Sequence, residues 1–216
     1  MEALYAEIQA LKAENAALKK VVVAKVGGPL GLIQAIGDAL AAKQNDSNQW
    51  LGSTLESINQ LIPDYAGKVG EHFIQQLCAT GTVQCEYDED VNSKDGTYDV
   101  KINSKKVEIK TARRGGKSSK GSFQHETLKT DGYDYLLFID ITPTHFYITI
   151  VPRFDLTKTH PLIGRTPHPR KGTSDVFKLD FGESNIQRCI EGGVSMKVDG
   201  DTTMEAVRTF VSSKCH

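Results

Sequence analysis

The chain has 216 residues, with 26 Lys and Arg against 27 Asp and Glu, and a formal net charge of −1 at pH 7. That length holds one domain with a real core plus an appendage. The balanced charge gives no global sign of a polyanionic partner, so any such signal must lie in local patches. No apolar run approaches the roughly 18 residues a membrane span requires, and the N-terminus lacks a basic-then-apolar leader, so a soluble, cytoplasmic protein is expected. Cys78, Cys85, Cys189 and Cys215 form no CxxC pair and no zinc-like spacing with histidine, which argues against a structural metal knot and for reduced thiols.

In chain order, residues 2–25 (EALYAEIQALKAENAALKKVVVAK) lack proline and glycine, and Leu4, Leu11 and Leu18 recur every seven residues. With leucine at d, Ile8, Asn15 and Val22 fall at a, Glu7 and Glu14 at g, and Lys12 and Lys19 at e, the pattern of a parallel coiled coil. The alternative is an amphipathic helix docked on its own domain. Residues 1–26 are therefore expected to be a coiled-coil dimerisation helix, ended by Gly27-Gly28-Pro29. Residues 27–63 read as a helical connector of two short helices, LGLIQAIGDALAAKQ and SNQWLGSTLESINQLI, with Trp50 as a packing residue.

From Asp64 to His216 the pattern is that of one further domain. YAGKVGEHFIQQLCATG predicts an amphipathic helix with Val69, Phe73 and Leu77 on one face and Gly81 as its stop. The runs YDVKI, KVEIKTA, YDYLLFIDI and HFYITIVP read as strands, and further helices are expected near 156 and 203. Helix followed by strands makes the fold class α/β, a mixed central β-sheet flanked by helices.

The chemistry-bearing residues lie on two of these strands. Side chains at i and i+2 share a strand face, so Glu108 and Lys110 point together while Val107 and Ile109 enter the core. A turn at Asn103-Ser104-Lys105-Lys106 would fold the Asp99 strand back antiparallel and bring Asp99 near Glu108. Two carboxylates that close repel, and Mg²⁺, which prefers hard oxygen ligands, would offset the repulsion. Metal-assisted hydrolysis of a phosphodiester suits this set: Asp99 and Glu108 as metal ligands, with Lys110 orienting the attacking water or neutralising the phosphate.

The pattern D-x8-E-x-K formed by Asp99, Glu108 and Lys110 resembles the PD-(D/E)xK nuclease superfamily, with Tyr98 standing where that pattern has proline. Downstream, GSFQHETLKTDGYDYLLFIDITPTHFYITIVP is similar to the segment of type II restriction endonucleases in which an F-Q motif precedes a strand, and HPRKGTSDVFKLDF to their His-rich loop and following strand. The likeness covers about residues 65–181. It implies a restriction-endonuclease-like fold, a helix whose Glu71 faces the site, and Gln124 and His125 at the cleft.

Residues 101–120 carry eight Lys or Arg against one acid, Glu108. Arg113, Arg114, Lys117 and Lys120 follow the Glu108 strand and are expected to hold the phosphate backbone. His160, Arg165, His168, Arg170 and Lys171, on a proline-rich loop, are the candidates for reading bases. These residues predict a Mg²⁺-dependent, sequence-specific type II endonuclease acting on double-stranded DNA as a homodimer or a higher oligomer. A structure-specific nuclease such as a junction resolvase and a non-catalytic DNA-binding or assembly module remain open.

Overall fold

The computed structural model describes residues 28–41, 52–79, 85–86, 98–115, 122–172 and 175–216. The heptad segment, Trp50, Gly81, Lys117 and Lys120 lie outside the described residues. The helices are α1 (Gly28–Ala41), α2 (Glu56–Gln60), α3 (Pro63–Ala79), α4 (Glu183–Glu191) and α5 (Met204–Lys214). The strands are β1 (Cys85–Glu86), β2 (Val100–Ile102), β3 (Lys105–Arg113), β4 (Phe123–Lys129), β5 (Tyr135–Ile141), β6 (Phe146–Pro152), β7 (His168–Pro169), β8 (Val176–Phe181) and β9 (Ser195–Val198).

The main sheet runs in the order β1-β2-β3-β5-β6-β9, and a smaller antiparallel sheet runs β4-β8-β7. Within the main sheet β3 and β5 pair parallel, and the other pairings are antiparallel, so the expected mixed α/β sheet is present. The parallel pair explains the continuous apolar run LLFI in β5, because a strand covered on both faces needs no polar alternation.

Two cores cover the two faces. On one face, Ile109, Leu137, Ile139, Ile148 and Ile150 pack with Leu32 and Ile36 of α1, Val69, Phe73 and Leu77 of α3, and Val207 and Val211 of α5. On the other, Leu136, Phe138 and Val151 pack with Phe123, Leu128, Phe177, Leu179 and Phe181 of the small sheet and Ile186 and Cys189 of α4. Val69, Phe73 and Leu77 are the stripe read from the sequence, and each is 0–1% exposed.

Close approach of α3 to the sheet depends on Gly70. A Cβ built there would stand 2.1 Å from the Thr111 hydroxyl oxygen and 3.0 Å from Ile139 Cδ1, and Thr111 Oγ1 donates to Gly67 O at 3.1 Å. Gly70→Leu is expected to lever the helix off β3 and cost about 1–3 kcal/mol, read as a fall in Tm of about 2–4 °C per kcal/mol.

Two expectations are corrected. No helix forms near 156: Asp155 Oδ1 instead accepts from the Thr157 N–H at 3.0 Å and its hydroxyl at 2.6 Å, closing a turn that competes with helix. Nor are the thiols uniformly reduced. Cys78 is disulfide-bonded, while Cys189 and Cys215 are free and buried; pairing follows which thiols folding brings together, which spacing along the chain does not report. Among the described residues no helix is long and apolar enough to cross a membrane.

Candidate active site

The site is built on the β2–β3 hairpin. Asn103 and Ser104 both take left-handed backbone, φ 50° and 64°, the geometry a two-residue hairpin turn requires. Asn103 Nδ2 donates to the carbonyls of Ser212 and Cys215, each at 3.1 Å, so the turn is fastened to the end of α5. Val100 pairs with Val107, where the β2–β3 ladder ends, and two hydrogen bonds just beyond that end hold Asp99 beside β3. The Asp99 N–H donates to Val107 O at 3.0 Å, and the Ile109 N–H donates to Asp99 Oδ2 at 2.6 Å. Tyr98, in the place of proline, is buried in the second core with Lys106 Nζ 5.3 Å from its ring centre.

The alternation along β3 is as expected. Val107 and Ile109 are buried in the core beneath α3, while Glu108 and Lys110 share the other face, Nζ to Oε1 2.5 Å. Glu71 reaches the group from α3, one residue past Gly70. Burial, then the charge of Asp99, raises its pKa from 4.5 to about 7, with Lys110 and Lys68 opposing. Burial likewise raises Asp99, against the Ile109 N–H and Lys110, and raises Glu108, against Lys110.

Sequence reasoning missed two neighbours. Lys129, at the end of β4, acts electrostatically on both Asp99 and Glu108. The Tyr133 hydroxyl donates to Lys129 O at 2.6 Å, and the phenol is raised by burial and then by the charge of Glu108. Strand alternation could not have flagged Lys129, because the β4–β8 register shifts between His125 and Leu128, where Thr127 takes φ 62°. The chain matches no protein family, no curated protein and no solved structure. The chemistry therefore follows from the donor set itself.

That set is all oxygen on the acidic side, and burial penalises each of its three carboxylates, a penalty a divalent cation would offset. Among the described residues no three His, Cys, Asp or Glu side chains already converge as a metal-binding group; Lys110 is the cation that meets Glu108. The fit to Mg²⁺ thus rests on Asp99 and Glu108, with Glu71 beside them.

The basic residues divide by strand face. Arg113 does not reach the surface as a phosphate contact: it faces the helices and donates to the carbonyls of Ile58, at 3.2 Å, and Asn59. Arg114 points the other way and is 45% exposed, 3.3 Å from Glu183. His125 is not at the cleft. Its side chain is fully buried, Nε2 lying 2.9 Å from Asp140 Oδ1 between the rings of Phe138 and Phe181. Gln124 is exposed on β4 opposite Asp180. His160 is buried, its Nδ1 accepting from the Ile163 N–H at 3.1 Å. Arg165, His168, Arg170 and Lys171 are exposed, and the first two join Arg114 in lining one cavity of about 480 Å³.

Glu71 gives a pH test. Its folded pKa, about 7, exceeds the ordinary 4.5, so the folded state holds this proton more tightly than the unfolded state. The associated stability is complete below about pH 4.5 and is lost as pH rises through about 7. In the absence of divalent cations, Glu71→Gln is expected to melt higher than wild type at pH 8 and to lose that advantage at pH 5.

Proposed function

We propose that the protein is a Mg²⁺-dependent endonuclease of the restriction type, cutting double-stranded DNA as a homodimer. The observation that supports this most is the hairpin itself: the Asp99 carboxylate, just before β2, is held by the Ile109 N–H beside Glu108 and Lys110 of β3, with a third carboxylate from α3. Mg²⁺ held by Asp99 and Glu108 would act as a Lewis acid at the phosphoryl oxygens.

The chain's own groups supply the rest. The Ile109 N–H fixes the Asp99 carboxylate. Burial of Val107 and Ile109 keeps β3 from sliding, so Glu108 and Lys110 hold their face. Lys110 donates hydrogen bonds from Nζ to the attacking water or to the phosphate, and favours the charge that develops there. Glu71, its pKa raised to about 7, would accept the water's proton. Lys129 limits the repulsion between Asp99 and Glu108.

The test is a sequenced plasmid incubated with the full-length protein and Mg²⁺, with the ends mapped. Discrete fragments that vanish with EDTA support the reading. Cleavage confined to branched DNA would make it a junction resolvase, and no cutting of any substrate would leave a binding module.

A double-strand break at a palindrome calls for two such sites related by a two-fold axis, and the heptads of residues 2–25 could supply the association. Light scattering is expected to give a dimer for the intact chain and weaker association after removal of residues 1–26, with nicking favoured over double-strand cuts. A monomeric full-length protein would exclude the zipper.

A further inference from the structure

The cavity beside Arg114 has walls of both signs. Arg114 comes from just past the end of β3, Arg165 from the loop after β6, His168 from β7, Asp180 from β8, and Glu183 and Asn185 from the first turn of α4. Its volume of about 480 Å³ lies within the range of specific ligand sites, ~300–1,000 Å³. The Arg165 loop is anchored, since Asn185 Nδ2 donates to Ile163 O at 2.9 Å and the His160 N–H donates to Arg165 O at 3.0 Å.

A phosphate would suit the arginines alone. Here it would also face Asp180 and Glu183, whose like charges repel it. Mixed walls instead suit a neutral edge that offers acceptors to the arginines and an amino group to a carboxylate. Asp180 Oδ1 is buried without a hydrogen-bond donor, its nearest cation, Lys178, being 3.7 Å away. Arg114 and Glu183, 45% and 42% exposed, form a weak surface pair, so both remain available to a ligand.

We propose that this cavity reads one G·C base pair through the major groove, an assignment that rests on the DNA-cutting function proposed above. Arginine addresses guanine O6 and N7, and a carboxylate accepts from cytosine N4. An A·T pair would leave the carboxylate facing the thymine O4 acceptor. Arg114 stands four residues after Lys110, one residue past the end of β3, ~13 Å at ~3.3 Å per residue, or about four base steps. The pair that is read therefore lies within a few steps of the bond that is cut.

The experiment selects bound duplexes from a randomised pool with the full-length protein, without Mg²⁺, and sequences them for wild type, Arg165→Ala and Glu183→Gln. Wild type is expected to enrich G·C at a defined position, and each variant to lose roughly 5- to 150-fold of that preference while keeping its binding to random DNA and its salt dependence. A uniform loss across all sequences with a shallower salt slope would mean phosphate holding, and an unchanged profile would mean an unused cavity; either overturns the assignment. Because binding is read without cleavage, a protein that enriches G·C but never cuts retains this site and loses the nuclease reading, whereas cutting without sequence preference does the reverse. Failure to bind any DNA overturns both.

Discussion

Asp99→Asn is expected to abolish Mg²⁺-dependent cleavage while DNA binding is kept or tightened. The substitution keeps the size and the acceptor for the Ile109 N–H, which approaches Oδ2 at 2.6 Å, so the hairpin should be undisturbed. It removes one negative charge from a site that, under the proposed function, would admit a phosphate, which favours binding. It also removes half of the paired carboxylates that would hold the metal, and loss of one preorganised electrostatic element of this kind commonly lowers kcat about 10²–10³-fold. End-labelled duplex cleavage and gel-shift titration on the same protein separate the two effects. Wild-type rates in the variant would remove Asp99 from the site. Lys110→Ala is expected to stop cutting as well, through a different loss, the hydrogen-bond donor beside Glu108.

The second large effect falls on stability. His125 and Asp140 are both fully buried, joined at 2.9 Å, and His125 Nδ1 and Asp140 Oδ2 have no hydrogen-bond partner. Asp140→Ala would strand the imidazole between the rings of Phe138 and Phe181. The loss is expected to be about 1–3 kcal/mol, the cost of an unsatisfied buried group. Replacing both partners at once, His125→Phe with Asp140→Val, is expected to recover much of that loss, because the desolvation of both goes with them. Urea denaturation of the two single variants and the double variant gives the coupling energy directly. A double variant no better than the sum of the singles would show that the pair is not the unit of stability.

Much of the hairpin was legible because period-two alternation is a strong local signal. Val107 and Ile109 against Glu108 and Lys110, with a turn at Asn103-Ser104, is a pattern physical chemistry allows to fold in one way. The small sheet was harder to see. Its β4 contains the left-handed Thr127, which breaks alternation, and its partner β8 lies far along the chain. Helix α4 follows a glycine and has only nine residues, too few for periodicity to stand out. Arg113 and Arg114 show a sharper limit. Both belong to one basic run, yet adjacent residues on a strand face opposite ways, so one is tied to the α2 carbonyls and the other opens to solvent. The His125–Asp140 contact joins residues 15 apart, and nothing local foretells it.

β3 carries Glu108 and Lys110 on one face, is hydrogen-bonded to β5 from Val107 to Arg113, and hands the chain directly to Arg114. Such a strand works as a ruler whose graduations are two residues wide. Inserting a single residue after Lys110 without a bulge would not move Arg114 one notch further along; it would turn the guanidinium to the opposite face, beneath the helices. As long as β3 stays free of a bulge, the distance between the carboxylate site and the cavity therefore changes in paired steps of ~6.6 Å. Relatives of this chain that differ in that spacing should carry insertions or deletions of two residues within β3, and single-residue length changes should be confined to the segment beyond Gly115.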